Sequence, residues 1–368
     1  MKILFVSHSY PPIRGGVESQ NFNLAESLKK IAEVKVIANS KGKAWLPIFL
    51  PAAFFKMLFL MGRYDACLLG NGVLAPLGEG VKMFHSRKKF FCVVHGLDIT
   101  FANKKGILSK IYKSINIVSL KKLDKLLMVG NSTIEEAEKA GINRNLCVFI
   151  PNGVNVGELS KESERNGISE ILGTDISDKK VILRLGRFVP HKGTSWFIGQ
   201  VMPRLPENII MVAAGARVGK NTAGDKDDFP ACEKAVKENN LEKRVWLVPS
   251  IPEEQKITLL NTADIVVSPN IRIEGTMEGF GINVIEAGAC GRVVVASNLE
   301  GLKDAIKDGE NGFLVEPGDA PGYVKKINDF ISDDDFRREF GKKAKKFTIE
   351  NYSWEKIAKK YLEVIGNS

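Results

Sequence analysis

Residues 181–193 read VILRLGRFVPHKG, and this stretch holds the pattern that determines the fold. Residues 181–185 are apolar except for Arg184 and do not alternate with polar residues, as is typical of a strand buried on both faces of a parallel sheet. A loop follows, Gly193 allows the backbone to turn, and a helical pattern begins after it. The stretch therefore predicts one strand–loop–helix unit of a doubly wound α/β domain.

The same alternation of apolar strands and helical segments recurs on both sides of this unit. In the second half of the chain, strands are predicted at 181–185, 209–213, 245–248, 265–268, 293–296 and 313–315. In the first half they are predicted at 3–7, 34–38, 66–70, 90–95, 126–130 and 147–150. Right-handed crossovers between such strands predict two Rossmann-like, doubly wound parallel-sheet domains. Because these folds bind ligands at the carboxyl ends of their strands, we expect a ligand-binding cleft between two facing domains.

The domain boundary is predicted from composition. A polar stretch rich in Glu, Ser, Gly and Asp follows the Pro-Asn-Gly turn signal at 151–153 and continues to about residue 178. Stretches of this kind are typical of linkers. We therefore expect an N-terminal domain over 1–165 and a C-terminal domain over 178–345. A final helix is expected over 346–368, after a break in the helical pattern near 351–353.

Composition and charge narrow the class of protein. The chain is 44% apolar and 26% charged, which is normal for a soluble globular enzyme. Residues 1–160 hold 22 Lys and Arg against 11 Asp and Glu, whereas the remainder holds 31 and 32. The five cysteines lie scattered in apolar runs without zinc-site spacing, which favours reduced thiols in a cytosolic protein. The apolar run at the start of the chain is too short for a signal peptide.

The loop after the strand at 181–185 carries two cations. Arg187 and Lys192 converge on the end of a strand, where the following helix also offers free backbone amides. Two fixed cations beside a helix N-terminus suit a diphosphate. The alternative interpretation is a solvated basic loop, because basic residues are common in loops.

Residues 278–287, EGFGINVIEA, predict a second half of the same site. Gly279 and Gly281 remove side chains where a helix begins, which again exposes amides to an anion. Glu278 precedes this turn and Glu286 lies about one and a half turns along the helix, so their carboxylates can grip hydroxyls on either side of a bound phosphate. The alternative is a helix N-cap and a surface salt-bridge residue. All four charged residues are expected to belong to the second domain.

In the first half, two loops are candidates for ligand contact. Gly15 and Gly16 follow the first predicted strand and allow close backbone approach to a ligand, although they do not form the GxGxxG dinucleotide motif. His95 ends the fourth predicted strand, where a side chain faces the ligand edge of a parallel sheet. The alternatives are a plain Gly-Gly turn and, for Asp98, a helix cap. The DxD pattern at 333–335 lies away from any strand end, so no metal site is predicted there.

Together these motifs resemble the retaining glycosyltransferases of family four, which have the GT-B architecture of two Rossmann-like domains. The resemblance covers nearly the whole chain and is specific in the order and spacing of its members. They are GGVE at 15–18, HGLD at 95–98, IPNGV at 150–154, GR through KG at 186–193, EGFG through EA at 278–287, DGENGFLV at 308–315 and YSW at 352–354. The loop at 270–277 is long for this family.

The resemblance implies a role for each candidate residue. Arg187 and Lys192 would bind the diphosphate of a UDP- or GDP-sugar donor, Glu278 its sugar hydroxyls and Glu286 its ribose. Gly15 and Gly16 would approach the phosphate, and His95 would lie beside the transferred sugar. The remaining donor contacts are expected at Gly279, Phe280, Gly281 and Ile282. The resemblance also implies a final helix that crosses back to the first domain, same-face attack with retention, and no metal or other cofactor, because cations and helix N-termini stabilise the leaving group.

Two unusual segments of the basic first half suggest a membrane-bound acceptor. Residues 44–62 contain five aromatic residues and one charge, and their alternatives are a buried connecting helix or an interfacial membrane contact. Residues 104–125 contain seven lysines and one acid among apolar residues, and their alternatives are a solvated helix face or docking on anionic lipid. The candidate lysines are Lys104, Lys105, Lys110, Lys113, Lys121 and Lys122.

The full hypothesis is an enzyme that moves a hexose-type sugar to a lipid-linked or polysaccharide acceptor, as a cytoplasmic protein peripheral to the inner face of the membrane. One alternative is a soluble transferase with a small acceptor, such as a sugar phosphate or an organic acid. Another is a non-catalytic scaffold that binds sugar nucleotides. Nucleic-acid binding is disfavoured, because the lysines lack the interleaved aromatic residues on which bases stack.

Overall fold

The computed structural model describes residues 1–13, 15–104, 106–160, 163, 166–218 and 226–368. Within them the chain divides into two compact units. The first unit comprises Met1–Gly153, Gly275–Phe280 and Tyr352–Ser368, and the second comprises Val154–Glu274 and Gly281–Asn351. The first unit thus changes to the second at Gly153, earlier than the expected 165, and it also contains a short segment from the middle of the expected C-terminal domain.

Each unit is built on a six-stranded sheet in which all the described strand pairs are parallel. The first sheet has the order β2-β1-β3-β4-β5-β6 and the second has the order β12-β11-β10-β7-β8-β9. The strands of the first are β1 Lys2–Ser7, β2 Glu33–Ala38, β3 Ala66–Leu69, β4 Lys89–Val94, β5 Lys125–Met128 and β6 Cys147–Phe149. Those of the second are β7 Lys180–Leu185, β8 Ile209–Gly215, β9 Val245–Pro249, β10 Ile265–Ser268, β11 Val293–Ser297 and β12 Phe313–Val315. The predicted doubly wound parallel sheets are confirmed.

Helices connect the strands, as parallel pairing requires. Those before the first boundary are α1 Gly16–Lys29, α2 Leu46–Leu60, α3 Ala75–Phe84, α4 Leu97–Asn103, α5 Ile107–Tyr112, α6 Val118–Leu120 and α7 Asn131–Lys139. The later ones are α8 Val156–Leu159, α9 Asn166–Leu172, α10 Thr194–Gln200, α11 Phe229–Glu238, α12 Glu253–Thr262, α13 Ile282–Ala289, α14 Leu302–Ala305, α15 Ala320–Ile331, α16 Asp334–Tyr352 and α17 Trp354–Gly366. A π-helical turn at Lys113–Ile117 joins α5 to α6.

The inner strands of both sheets are buried on two faces, whereas the edge strands are only partly buried. Residues Ile3, Leu4, Phe5 and Val6 of β1 are fully buried in succession, which explains their unbroken apolar pattern. The long helices α15 and α17 each bury an apolar face against the sheet or a neighbouring helix. Helix α17 packs against α1 within the first unit, after α16 ends at Tyr352 in the predicted break.

The strand order creates a switch point in each sheet. In the second sheet the connections from β7 run towards β9 on one side, and β10 begins the other side. In the first sheet β2 and β3 lie on opposite sides of β1. Loops that leave the carboxyl ends of strands on either side of a switch point diverge and leave a crevice, where ligands of doubly wound folds bind. The loops after β1, β3, β7 and β10 are therefore the places to search for a site.

Candidate functional site

In the second unit, the loop after β7 is held in shape by a buried cation. Arg184 is only 1% exposed, and its guanidinium donates to the backbone carbonyls of Gly186 and Arg187. Phe188 anchors the loop from the other side, because its ring is fully buried against Phe229. The Arg187 side chain is left exposed at the switch point. Arg184 and Phe188 therefore fix the backbone of the loop that carries Arg187. The apolar pattern of β7 did not predict this role of Arg184.

Lys192 ends a short 3₁₀ turn that brings the chain to α10. Gly193 follows in the left-handed region, with φ +65°. A Cβ on Gly193 would collide with the carbonyl oxygen of Pro269, in the loop that leaves β10. The loops after β7 and β10 therefore approach each other closely on the two sides of the switch point. This approach keeps the half-buried Lys192 at the same edge of the sheet as Arg187.

The predicted glycine turn before α13 is present. Gly281 caps the helix with φ +84°, and no side chain caps its first turn. Asn283 donates from its Nδ2 to the carbonyl of Leu185, 3.3 Å away, and so ties the first turn of α13 to the end of β7. The backbone amides at the start of α13 thus lie beside the loop that carries Arg187, within one unit.

Glu286 lies on α13 and forms an ion pair that the sequence analysis missed. Its Oε1 lies 2.8 Å from Nζ of Lys256 on α12, which also pairs with Glu253 at 2.8 Å. Burial alone would lower the pKa of the Lys256 ammonium, but the two carboxylates together raise it. Lys256 thus stays charged and holds the Glu286 carboxylate in position. No sequence motif could have identified Lys256. It lies 30 residues before Glu286, and whether the two side chains pair depends on how α12 and α13 pack.

In the first unit, His95 follows β4 at the carboxyl edge of the sheet. Its Nε2 lies 3.1 Å from the carbonyl oxygen of Gly70, and since a carbonyl only accepts, Nε2 must carry the proton. Burial lowers the pKa of His95, although Asp98 opposes this shift, so the ring is neutral near pH 7. Asp98 accepts from the His95 backbone amide at 3.0 Å. It lies in the first turn of α4, and Gly96, not Asp98, caps that helix.

A second histidine, His8, lies just after β1 and was not predicted. Its Nδ1 is buried, and none of the described residues hydrogen-bonds to it. Burial lowers the pKa of His8, and the nearby carboxylates of Asp98 and Glu18 oppose this. His8 also ends a parallel strand beside the switch point, so the argument that selected His95 could have selected it. Both imidazoles therefore stand at the carboxyl edge of the first sheet.

The predicted Gly-Gly loop lies next to this edge. The carboxylate of Glu18 occupies the space where a Cβ on Gly15 would stand, and it accepts a hydrogen bond of 2.7 Å from Ser9. Gly16 begins α1. Arg14, which precedes the two glycines in the motif, lies outside the described residues.

Glu278 belongs to the first unit, contrary to the expectation that all four charged donor residues lie in the second domain. Its segment, Gly275–Phe280, packs against the loop after β4. A Cβ on Gly279 would lie 2.6 Å from the carbonyl oxygen of His95, so only glycine permits this approach. The Phe280 ring meets the Tyr352 ring edge-on at 5.7 Å. The strand–helix pattern assigned Glu278 to the second domain, because the neighbouring strands and helices of the sequence belong there. The long loop before Glu278 instead returns to the first unit.

The structure therefore brings the predicted residues together in two groups. Arg187, Lys192, Gly281, Ile282 and Glu286 lie in the second unit. Gly15, Gly16, His95, Glu278, Gly279 and Phe280 lie in the first. Among the described residues, no group of three or more His, Cys, Asp and Glu side chains is arranged to hold a metal ion.

The basic segment of the first unit is only partly a solvated surface. Lys110, Lys113, Lys121 and Lys122 are exposed, Lys104 is half-buried, and Lys105 lies outside the described residues. Between these lysines, a row of apolar side chains is exposed at helical spacing. Its members are Ile107 (71% exposed), Leu108 (70%), Ile111 (49%), Ile115 (50%) and Val118 (44%).

The apolar segment at 44–62 is not a buried connecting helix, because α2 buries only Ala53 and Met57. Ile48, Phe55 and Phe59 are 61%, 57% and 79% exposed on it. The helical stretch Lys43–Arg63 is long and apolar enough to cross a membrane by length and composition alone, and 17% of its apolar 18-residue window is buried.

Comparison with known proteins shows which proteins this chain is similar to. Residues 173–347 match the family model described as Glycosyl transferases group 1. An uncharacterized glycosyltransferase of Methanocaldococcus jannaschii is 27% identical over 401 aligned residues, which cover 99% of this chain and 97% of that protein. The N,N'-diacetylbacillosaminyl-diphospho-undecaprenol alpha-1,3-N-acetylgalactosaminyltransferase of Campylobacter jejuni is 25% identical over 283 residues, 74% of this chain and 69% of that enzyme.

Among solved structures, Anabaena HepE in complex with UDP has a TM-score of 0.79 and 20% identity, with 100% of both chains covered. HepE has also been solved with UDP-glucose, at a TM-score of 0.78 and 19% identity. Similarity at this level of identity shows the fold, which is the GT-B fold of two Rossmann-like domains. Residues 173–347 are thus similar to the group 1 glycosyltransferases, and the chain as a whole is similar to proteins named as glycosyltransferases.

Proposed function

We propose that this protein is a retaining glycosyltransferase that moves a hexose-type sugar from a nucleoside diphosphate sugar to a lipid-linked or polysaccharide acceptor at the cytoplasmic face of the membrane. The observation that carries the proposal is the switch point of the second sheet. There a buried guanidinium fixes the loop of Arg187, a glycine turn positions Lys192, and the uncapped start of α13 is tied to the same loop. This combination of cations and backbone amides suits a diphosphate.

Each residue of the second unit has a proposed role towards the donor. Arg187 and Lys192 would bind the diphosphate, and Gly281 and Ile282 would offer backbone amides to it. The carboxylate of Glu286, held by Lys256, would accept hydrogen bonds from the ribose hydroxyls. A carboxylate that is already oriented loses little freedom when the ribose binds.

The mechanism follows from where charge develops. As the bond between sugar C1 and phosphate breaks, the leaving diphosphate gains negative charge and the sugar ring gains positive charge. Arg187, Lys192 and the start of α13 would stabilise the leaving diphosphate without a metal ion. We propose same-face attack, in which a donor phosphate oxygen takes the proton of the acceptor hydroxyl, so that configuration is retained.

In the first unit, His95 and Glu278 would contact the transferred sugar, and Gly15 and Gly16 would approach the phosphate. Glycines 279 and 96 let the Glu278 segment lie against the His95 backbone. With its proton on Nε2 and bonded to Gly70, His95 presents Nδ1 as an acceptor to a sugar hydroxyl. Phe280 and Gly279 would complete this surface.

The donor assignment is tested by Arg187→Ala and Lys192→Ala. Loss of one preorganised charge-stabilising group costs about 2–4 kcal/mol of barrier, so we expect kcat/KM to fall roughly 30- to 1,000-fold. Arg204→Ala is the matched control, because it removes an exposed arginine of the same unit away from the switch point. Turnover of the Arg187→Ala enzyme equal to that of the control would refute the donor site.

The membrane part of the proposal rests on the exposed apolar residues of the first unit. Helix α3 packs against both α2 and α6, so the three helices are neighbours on the sheet. Large apolar side chains are exposed on all of them, including Met83 (77%) and Phe84 (69%) at the end of α3. Lysines flank the row at 107–118, as expected for a surface that meets anionic lipid. The Campylobacter relative is named for a diphospho-undecaprenol-linked substrate, which supports a lipid-linked acceptor here.

Flotation with vesicles tests the membrane contact. The double variant Phe55→Ser with Phe59→Ser should bind vesicles of 30% anionic lipid at least tenfold more weakly, because burying each ring contributes about 1.5–3 kcal/mol. Phe336→Ser, which alters a half-exposed ring of the second unit, should bind like the wild type. If the wild type does not bind such vesicles even at low salt, the membrane proposal fails. A soluble transferase with a small acceptor then becomes the better explanation.

A further inference from the structure

An apolar groove lies in the first unit between the edge strand β2 and helix α2, and its volume is about 590 Å³. Ten residues line it, all within the part of the chain that the structure describes. Eight of them are apolar, namely Val36, Ile37, Ala38, Phe49, Ala52, Ala53, Phe59 and Leu60. The other two are Lys35 and Lys56. A groove of this size is large enough for a small molecule.

The wall from α2 is a stripe along one face of the helix. Phe49, Ala52, Ala53, Lys56, Phe59 and Leu60 recur at helical spacing, and eleven residues of helix span about 16 Å. Phe49 and Leu60 pack against the core of the unit, so both ends of the stripe are anchored. The small side chains of Ala52 and Ala53 lie between bulky ones, and this difference in size leaves the groove open.

Strand β2 forms the opposite wall. It pairs with β1 on one side, and none of the described strands pairs with it on the other. Lys35 and Ile37 are two residues apart and therefore share one face of the strand. Ile37 belongs to the same core cluster as Ala53 and Met57 of α2, so α2 covers this face. Lys35 thus lies on the side of β2 that faces α2.

The two lysines give the groove a positive charge that its wall does not balance. No Asp or Glu lines the groove, and among the residues that the structure describes no ion pair joins Lys35 or Lys56 to a carboxylate. Glu33, two residues before Lys35, pairs instead with Lys2 at 3.1 Å. Both lysines are exposed, so their ammonium groups reach water while their methylene stems follow the apolar wall. The groove is therefore complementary to an apolar chain with an anionic head group.

We propose that this groove binds one chain of an anionic phospholipid, with the lipid phosphate between Lys35 and Lys56. The apolar stripe of α2 is about 16 Å long, and one leaflet of a bilayer contributes about half of a hydrocarbon core of roughly 30 Å. The exposed rings of Phe55 and Phe59 continue the apolar surface beyond the groove, so a chain can enter directly from a membrane.

The occupant is an anchoring lipid, not the sugar acceptor. Lys35 lies three residues before the end of β2, about 10 Å from the carboxyl edge of the sheet where His95 lies. A lipid with its phosphate at Lys35 therefore does not present its head group to His95. A lysine on an edge strand also disfavours pairing with a further strand, which makes a peptide or a second copy of the chain a poorer occupant. The inference shares only the membrane contact with the proposed function and goes beyond it.

Isothermal titration with dodecyl phosphate, kept below its critical micelle concentration at low salt, tests the groove without a membrane. We expect wild-type protein to bind about one equivalent, because chain and charge act together. Inorganic phosphate lacks the chain and dodecyl maltoside lacks the charge, so each should bind at least about tenfold more weakly.

Two variants locate the binding site. Ala52→Trp fills the groove at an exposed position without a change of charge, and it should weaken dodecyl phosphate binding at least about tenfold. Its control is Ala231→Trp, which adds the same ring at an exposed helical alanine of the second unit. The double variant Lys35→Ala with Lys56→Ala should also bind at least about tenfold more weakly. Its control, Lys237→Ala with Lys346→Ala, removes two exposed lysines outside the groove and should bind like wild type.

Three results would overturn the inference. The first is wild-type protein that does not bind dodecyl phosphate, and the second is equal binding by Ala52→Trp and Ala231→Trp, which would place the chain outside the groove. The third is binding of farnesyl phosphate about a hundredfold more tightly than dodecyl phosphate, more than its three added methyl groups explain. Such a preference would assign the groove to a polyprenyl-linked acceptor. None of these measurements involves sugar transfer, so failure of this inference is distinguishable from failure of the proposed function.

Discussion

At the scale of single residues, the second unit shows how one side chain can set the position of another that belongs to the candidate site. Arg184 is part of an apolar strand by pattern, yet its guanidinium shapes the loop that presents Arg187. Lys256 similarly holds Glu286. The sequence predicted Arg187, which follows Gly186 at the end of a strand, and Glu286, which lies on the helix that follows a glycine turn. It did not predict Arg184, Lys256 or His8, because their roles depend on contacts between distant segments.

Gly193 is the residue whose replacement tests the closeness of the two loops at the switch point. Gly193→Ala should lower the free energy of unfolding by about 2–4 kcal/mol, since it adds both left-handed strain and a collision with Pro269. Gly173→Ala is the control, because Gly173 has nearly the same φ (+66°) and no atom near its added Cβ. Urea unfolding of the two variants measures the difference. Equal losses would mean that the loops are not in close contact.

At the scale of elements, the apolar pattern predicted the strands better than it predicted the environment of the helices. All twelve strands occur within about two residues of their predicted bounds, since a strand buried on both faces has an unambiguous apolar run. Helix α2 has an equally apolar sequence, yet only Ala53 and Met57 of it are buried. Composition alone therefore does not distinguish a helix that packs in a core from one that lies at the surface of its unit.

Helix α17 provides the element-scale prediction. Trp354 is 8% exposed, and its ring lies so close to Gly153 that a Cβ there would be 2.6 Å from the ring atom Cε3. Trp354→Ala should therefore destabilise the first unit by about 3–5 kcal/mol, because it leaves a cavity under α17. Phe59→Ala removes an aromatic ring that is 79% exposed in the same unit and should change stability by less than about 0.5 kcal/mol. Thermal unfolding compares the two, and similar melting temperatures would contradict the packing of α17.

At the scale of the whole molecule, the excess positive charge and the match to the family model lie in different halves of the sequence. The excess of basic residues lies in residues 1–160, whereas the group 1 family match covers residues 173–347. The fold was accessible from the sequence because the motifs keep their order along the chain. The assignment of Gly275–Phe280 to the first unit could not be predicted, because no local sequence pattern indicates to which unit a loop returns.

Donor identity is a whole-molecule prediction, because a ligand stabilises the fold it binds. A UDP- or GDP-sugar at 100 times its Kd should stabilise the protein by about 2.7 kcal/mol and raise its melting temperature by several degrees. The corresponding ADP-sugar controls for stabilisation that does not depend on the nucleobase of the donor. If no member of this panel moves the melting temperature, the protein does not bind a nucleotide sugar in this form.

The assignment of Gly275–Phe280 has a consequence for dissecting the protein into fragments. The chain passes from one unit to the other four times, so no single cut yields two complete pieces. A fragment covering residues 154–351 would carry Met277 and Phe280, which are 9% and 2% exposed in the intact protein, without the residues of the first unit that bury them. Such a fragment would display new apolar surface and tend to aggregate. Expression of the second unit alone would therefore benefit from replacing these six residues with a short polar linker.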